Sequence, residues 1–299
     1  MKLFVLGNVA VDKMFYVKNF PRIGETILST KNIKDFGGKG FNQSISASRI
    51  GAKISFWTYL GIDNFSKNIL TTLEKEEIST KNIFTTDCKT DESIIIVNEK
   101  GANYIISSIS NVCSIDLNYT NKMLKGIKEG DSLLLQGNLK KEITHQTIKV
   151  AYKKKVRIFL NASPITYDNL DILHYIDTLI VNETEQKQLT KSNNVNKGNK
   201  FLLENGVKNI ITTKGKEGII YTSKNNTFCI NSPKVDTLDS TGAGDVFCGS
   251  LVAFILKGYD YKISCEKAIK LASLSVTKYG TYLSIPNRDE IDDVENTTN

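Results

Sequence analysis

The stretch Asp239-Ser240-Thr241-Gly242-Ala243-Gly244-Asp245 runs directly into Val246-Phe247-Cys248-Gly249-Ser250-Leu251-Val252-Ala253-Phe254-Ile255-Leu256, an apolar segment that reads as a long helix ending near Gly258. The glycines therefore sit at a loop-to-helix junction. Small residues there let backbone N–H groups turn toward a ligand, and the helix start adds positive potential, so the junction suits a phosphate. The dipole supplies only about 0.3 to 1 kcal/mol, or ~2 when partly buried, so several N–H hydrogen bonds must do most of the holding. Asp245 falls in the first turn. Alone, such a carboxylate is a favourable N-terminal charge. Inside a phosphate-binding loop it can align an acceptor hydroxyl and take its proton as a phosphoryl group transfers.

Outward from this junction, apolar β-rich runs alternate with helical patterns. Strands are expected at Leu3–Leu6, Ile54–Tyr59, Ser132–Gln136, Val156–Leu160, Thr178–Val181 and Ile210–Thr213. Helices are expected over Gly40–Ile50, closed by Gly51 as a C-terminal cap, and over Phe65–Glu77 and Ile143–Lys154. Near-continuous apolar strands separated by helices of about ten or more residues imply parallel pairing, with helices on both faces. The expected class is α/β: a three-layer, doubly wound, mostly parallel sheet, forming a single domain over residues 1–299. Two stretches break the alternation. Ser93–Val97 and Tyr104–Ile106 flank a turn-rich connector and read as a hairpin, and residues 11–35 read as extended chain. Together, about 11–35 and 92–108 are expected to form a small sheet acting as a lid over the strand ends, where open α/β sheets bind ligands. Residues 187–200 are polar and read as a loose surface loop, and Asp292–Asn299 as a frayed tail.

With 299 residues and 40% hydrophobic content, the chain can bury a substantial core. No apolar run approaches the roughly 18 residues that span a bilayer, and the N-terminus lacks the flanks of a signal peptide, so a soluble cytoplasmic protein with no membrane partner is expected. Cys88, Cys113, Cys229, Cys248 and Cys265 are far apart, which argues against a disulfide framework and against a zinc site. A histidine metal centre or a Ser-His-Asp triad would have to use His145 or His174, and both sit in unremarkable surroundings. The net charge of +7 is spread along the chain; its one tight cluster, Lys153 to Lys155, ends an amphipathic helix. That is a solvated face rather than a stripe tracking nucleic acid, which is not expected as a partner.

No G-x-x-x-x-G-K-[ST] occurs, so a P-loop nucleotidase is excluded by its own signature. Gly7-Asn-Val-Ala follows the first strand without the later glycines of a dinucleotide fingerprint, which speaks against a nicotinamide oxidoreductase. A second glycine cluster, Gly37-Gly38-Lys39-Gly40-Phe41-Asn42-Gln43, precedes a helix, and its Gly-Gly pair permits close backbone approach; alone, such a loop is more often a plain turn. Between the two clusters and around them come Asp12, Pro21, Gly24-Glu25-Thr26, Gly61-Ile-Asp63-Asn-Phe65, Asn161-Ala-Ser-Pro164, Asn182-Glu-Thr-Glu185, Thr213-Lys-Gly215 and Val276-Thr-Lys-Tyr-Gly280. In this ordered series the sequence resembles the PfkB, or ribokinase-like, carbohydrate kinases from about Leu3 to Pro286.

The resemblance implies an ATP-dependent kinase that phosphorylates a primary hydroxyl of a sugar, with Asp245 as base and Gly242, Ala243 and Gly244 as anion hole. It implies that Asn182 and Glu185 organise Mg²⁺ through water, that Thr213 and Gly215 line the ATP site, and that Asp12, Gly38, Lys39, Asn42 and Asn138 hold the sugar. Asp239, Thr241, Ser275, Lys278, Gly280 and Ser284 match the ligands of a monovalent cation, K⁺, some through backbone carbonyls. Lid pairing between subunits implies a homodimer. The pattern departs at Ala10, where ribokinases usually have Asn, and at Gln136-Gly-Asn138, where they have Gln-x-Glu; both changes put ribose itself in doubt. Ser66 stands for the usual Gly and Ser240 for Thr. A nucleoside kinase of the same fold is the alternative within this chemistry. A sugar- or nucleotide-sensing module is the alternative outside it, and it would bind without releasing ADP.

Overall fold

Runs of buried β-branched and aliphatic residues place most strands of this chain side by side in one sheet. A computed structural model describes residues 1–296. Its first half runs β1 (Leu3–Leu6), β2 (Ala10–Val17), β3 (Lys31–Gly37), α1 (Lys39–Arg49), β4 (Ile54–Leu60), α2 (Asn64–Lys75), β5 (Ile83–Thr85), β6 (Glu92–Asn98), β7 (Asn103–Ser107), α3 (Ser110–Cys113) and α4 (Leu117–Gly126). The rest follows as β8 (Ser132–Gln136), α5 (Lys141–Lys153), β9 (Arg157–Asn161), β10 (Thr178–Asn182), α6 (Glu183–Thr190), α7 (Val195–Glu204), β11 (Asn209–Thr213), β12 (Ile219–Ser223), β13 (Thr227–Ile230), α8 (Ala243–Leu256), α9 (Tyr261–Ser275) and α10 (Arg288–Asn296).

The main sheet has nine strands in the order β13-β12-β11-β10-β9-β8-β1-β4-β5. Pairing is parallel from β11 to β5 and antiparallel only at β11–β12 and β12–β13. Successive strand side chains point to opposite faces, and here each face has its own core. Leu3 and Val5 pack with Phe41 and Ile45 of α1 and Val252 and Phe254 of α8. Phe4 and Leu6 pack on the other side with Met123 of α4 and Ile148 of α5. This is the expected three-layer, doubly wound sheet. The second sheet, β3-β2-β6-β7, has four strands; β2 and β6 pair in parallel across the two segments that broke the alternation.

Strand order reverses at β1, which has β4 on one side and β8 on the other. The crevice beyond the carboxyl ends of β1 and β8 is therefore the switch point where such sheets take ligands. Backbone approaches there with no room for side chains. A Cβ added at Gly40 would stand 2.9 Å from Gly7 C and Cα, so two glycines let the start of α1 touch the end of β1.

Two expectations fail. Residues 187–200 are not a loose loop: they hold the end of α6, a short turn and the start of α7, whose Asn194 side chain accepts from Lys197 N. The tail is not frayed over 292–296, which belong to α10. Buried Ile291 and Val294 pin that helix, and Lys267 donates to the carbonyls of Val294 and Glu295. Residues 297–299 lie outside the described residues. The lysine cluster is tied locally, since Lys154 Nζ donates to the carbonyls of Leu124 and Ile127 and Lys155 pairs with Glu129. The five cysteines are free, and no helix among the described residues is long and apolar enough to cross a membrane.

Candidate active site

The glycine-rich junction lies where the sequence places it. Gly242 is the N-cap of α8 with φ of 81°, a left-handed conformation that glycine adopts without strain, and Ala243, Gly244 and Asp245 form the first turn. First-turn N–H groups lack the acceptor one full turn back in their own helix; here Asp245 N turns to Gly242 O at 2.9 Å and Ala243 N to Ser240 O at 3.3 Å. The space beside Gly244 is open: nothing lies within 4 Å of where a Cβ would stand.

Asp245 is only 7% exposed, and a relay of amides orients it. Gln43 Nε2 donates to Asp245 Oδ1 at 2.8 Å, and Asn42 Nδ2 donates to Oδ2 at 3.3 Å. Gln136 Nε2, at the end of β8, donates in turn to Gln43 Oε1 at 2.9 Å. Gln136 Oε1 is packed against the backbone of Gly7, where an added Cβ would stand 1.8 Å from it.

Across the crevice Asp12 is 3% exposed on β2, and burial pushes its carboxyl up to about 7. Thr281 Oγ1 lies 2.7 Å from Asp12 Oδ2 and 2.9 Å from Phe36 O. A hydroxyl has one hydrogen. The one hydrogen serves one of these two oxygens at a time; donated to Asp12 it lowers the carboxyl's affinity for a proton, and burial outweighs it. Asp35 holds the same C-terminal segment, accepting from Thr281 N at 2.9 Å and Leu283 N at 3.0 Å. Burial raises its carboxyl as well, against the backbone donors of Leu283, Phe36, Thr281 and Tyr282, which lower it less.

Asn8 and Asn138 stand just past the ends of β1 and β8, and Asn42 in the first turn of α1. The Oδ1 atoms of all three are buried without a hydrogen-bond partner among the described residues. Gly38, with φ of 96°, packs on Val9 and Ala10, and Lys39 begins α1 half-buried.

Asn182 and Thr213 are neighbours in register at the carboxyl ends of β10 and β11. Gly215, also at positive φ, follows with open space around it. Strands lie about 4.8 Å apart, so this edge is roughly 10 to 15 Å from the β1/β8 crevice. Asn182 and Glu185 form a capping box: Glu185 N donates to Asn182 Oδ1 and Asn182 N to Glu185 Oε2, each at 2.8 Å. Glu185 uses Oε2 in this box, which leaves Oε1 to face a ligand, and the described residues contain no cluster of three or more metal-ligating side chains. One carboxylate oxygen fits Mg²⁺ held through water and phosphates, and does not fit an all-protein cage.

For the cation residues, Asp239 is fully buried and no basic side chain pairs with it among the described residues. Its Oδ2 accepts from Tyr16 Oη at 2.6 Å and Gly280 N at 3.4 Å, and its Oδ1 from Thr241 N at 2.9 Å. A buried carboxylate lacking a counter-charge fits a monovalent cation. Lys278 turns its amine to Glu290, and Ser275 and Ser284 donate their hydroxyls to Ala272 O and Thr281 O. These three therefore have only carbonyls, or hydroxyl lone pairs, to offer.

The family profile described as pfkB family carbohydrate kinase matches residues 1–288. The chain belongs to that family. It is 30% identical to a ribokinase of Staphylococcus aureus over 302 residues, covering 98% of this chain and 99% of that one. It is 26% identical to a deoxyribokinase of Salmonella typhi over 301 residues, covering 98% of each. The solved ribokinase of Thermotoga maritima superposes with a TM-score of 0.86 at 28% identity, covering 98% of this chain and 99% of that one.

For a carbohydrate kinase, the sequence reading missed several residues that the fold brings to this crevice. Gln43 and Gln136 were quoted without a role, although their amides meet end to end. Asn8 had a usable signal, since it follows the first strand of a doubly wound sheet. Tyr16, Asp35, Asn103 and Thr281 had none: each meets its partner across 138 residues or more.

Proposed function

We propose that the chain is one domain that transfers the γ-phosphoryl group of ATP to a primary hydroxyl of a pentose held in the β1/β8 crevice. One observation carries the acceptor side. The amide oxygens of Asn8, Asn42 and Asn138 lack partners in a crevice that also holds Asp12 and Asp245. Buried acceptors without donors are costly unless a ligand satisfies them. A ligand rich in O–H groups does so.

In this reading Asp245 accepts the hydroxyl proton while that oxygen attacks the γ-phosphorus and the bond to the β-phosphate oxygen breaks, releasing ADP. Carboxylates are weak bases toward alcohols, so alignment supplies much of the effect. The relay from Gln136 and Gln43, with Asn42, holds both carboxylate oxygens while leaving lone pairs for the substrate. The amides of Gly242, Ala243 and Gly244 receive the charge gathering on the transferring group. Asp12, Gly38 and Lys39 with the three asparagines hold the sugar, and Thr213 and Gly215 line the nucleotide. Bound near Glu185 and Asn182, Mg²⁺ would neutralise phosphate charge. Beside Asp239, with carbonyls of residues 275–284, K⁺ would supply fixed positive potential to the anion hole.

A panel of ribose, 2-deoxyribose, hexoses and nucleosides, read as ADP release with ATP and Mg²⁺ with and without K⁺, tests this reading. At least one pentose is expected to be phosphorylated at a kcat/KM tenfold or more above every nucleoside. If every sugar is inert and a nucleoside turns over, the acceptor class is wrong. If ligands bind and no ADP forms, the chain is a sensor.

The small sheet serves as the lid over this crevice. Its inner face carries buried Met14, Tyr16, Ile95 and Val97, while its outer face exposes Phe15, Ile94, Tyr104 and Ile106. Contiguous exposed apolar side chains of this kind mark a contact surface, and a second copy presenting the same face is the occupant proposed. Sedimentation is expected to show a dimer that Ile94→Lys with Ile106→Lys converts to monomer. A monomeric parent at micromolar concentration overturns the assembly.

A further inference from the structure

Three consecutive residues of the 239–245 loop are held by the small sheet. Tyr16 Oη donates to Asp239 Oδ2 at 2.6 Å. Ser240 donates to the carbonyl of Gly101 through its N at 3.2 Å and its Oγ at 2.6 Å. Asn103 Nδ2 donates to Thr241 Oγ1 at 3.0 Å. These contacts come from β2, from the turn between β6 and β7, and from the first residue of β7. The partners are 223, 139 and 138 residues apart in sequence.

Each contact is built. Gly101 has φ of 74°, and a Cβ there would stand 2.7 Å from Thr237 Cγ2, so only glycine brings that carbonyl over the loop. The Tyr16 ring stands edge-on to Tyr279 with centroids 4.9 Å apart, and Lys31 Nζ lies 3.5 Å from the centre of the Tyr279 ring. Tyr16 is 6% exposed, so its hydroxyl has little alternative in water. From the main body, Asp239 N donates to Val276 O at 3.2 Å, Gly280 N donates to Asp239 Oδ2 at 3.4 Å, and Ala243 N donates to Ser240 O at 3.3 Å.

We propose that Tyr16 and Asn103 are positioning residues for phosphoryl transfer: by fixing Asp239 and Thr241 they set the arm from which the amides of Gly242 to Gly244 meet the transferring group. The inference rests on the kinase reading above and adds to it a direct mechanical tie between the small sheet and the anion hole. Donors that stabilise a transition state act through placement, and an error of about 1 Å costs as much as 10²-fold in rate. Neither Tyr16 nor Asn103 touches the reacting atoms.

Tyr16→Phe keeps the ring against Tyr279 and removes only the hydroxyl; Asn103→Ala removes only the amide. Both variants and the double variant of the full chain are compared with the parent by steady-state kinetics, thermal melting and amide hydrogen exchange. The expected result is a fall in kcat of roughly tenfold or more in the double variant, with KM for sugar and for ATP within about threefold. Exchange over residues 239–245 should quicken while that of β1 and β8 stays parental. A lowered melting temperature with kcat and loop exchange unchanged means the contacts only hold the fold together, and overturns the proposal. A rise in sugar KM at constant kcat overturns it too, since the sheet would then act through binding alone. If the parent releases no ADP with any acceptor, the kinase reading fails, and loop exchange in the variants still decides whether the tie exists.

Discussion

Asp245→Ala is expected to lower kcat by at least about 10² to 10⁴ while ATP binding persists. The side chain is the one carboxylate at the start of α8, 7% exposed and held through both oxygens by Gln43 and Asn42. In the proposed mechanism, removing it takes away the proton acceptor and the group that aligns the attacking hydroxyl. It also leaves the Gln43 and Asn42 amides as buried donors without an acceptor, at about 1 to 3 kcal/mol of stability. A thermal melt therefore accompanies the assay, so that rate per folded enzyme is what is compared. ATP affinity, measured by calorimetry, should stay within a few-fold, because Thr213, Gly215 and Glu185 lie on another part of the sheet edge. Near-parental turnover would remove Asp245 from the mechanism.

Asp12→Asn should weaken function and strengthen the empty protein, with the balance set by pH. Burial, with smaller contributions from the charges of Asp35 and Asp245, raises the Asp12 carboxyl from its ordinary 3.8 to about 7. Between those values the folded protein holds a proton that the unfolded chain has lost. Stability from this group is thus fully present below about 4 and lost as pH rises through 7. At ~1.4 kcal/mol per pH unit across that interval, the loss approaches ~4 kcal/mol above pH 8. An asparagine carries no charge at any pH. The variant should melt higher than the parent at pH 8 and show no such advantage at pH 4. Above pH 7, where Asp12 is ionised, the sugar loses a charged acceptor, so kcat/KM there should fall about 10- to 150-fold, the equivalent of 1.5 to 3 kcal/mol. A parent more stable than the variant across the whole pH range would refute the assignment.

How far the sequence could be read depended on the range of the interactions involved. Leu3–Leu6 and Ser132–Gln136 were expected with the bounds observed, because a strand buried on both faces is a continuous apolar run. The two edge strands β5 and β13, and β12 beside β13, are not legible: short and only partly buried, they carry little apolar signal. The start of α7 is masked in the sequence because Lys197, Asn199 and Lys200 dilute its apolar stripe, although its Asn194 cap is visible. Both glycine loops were legible since their chemistry is local, as were Asp12, Asn42 and Asp245 through the resemblance. The contacts that orient them were not. Asp245 depends on Gln43 across 202 residues, and Asp12 on Thr281 across 269, and no periodicity encodes such pairs.

That last separation has a consequence for the growing chain. At about 5 to 20 residues per second, a ribosome delivers Thr281 on the order of tens of seconds after Asp12. Until then Asp12 and Asp35 lack the segment that covers them, and their carboxylates remain hydrated and charged. Asp245, the proposed base, also arrives after both sheets have been synthesised. A nascent or prematurely terminated chain that stops before α8 has every residue of the core on the α4/α5 face, yet lacks the α8 side of the other core and Asp245 with it. Incomplete copies remain unable to spend nucleotide, and the cell is spared a truncated ATPase by the order in which the residues are made.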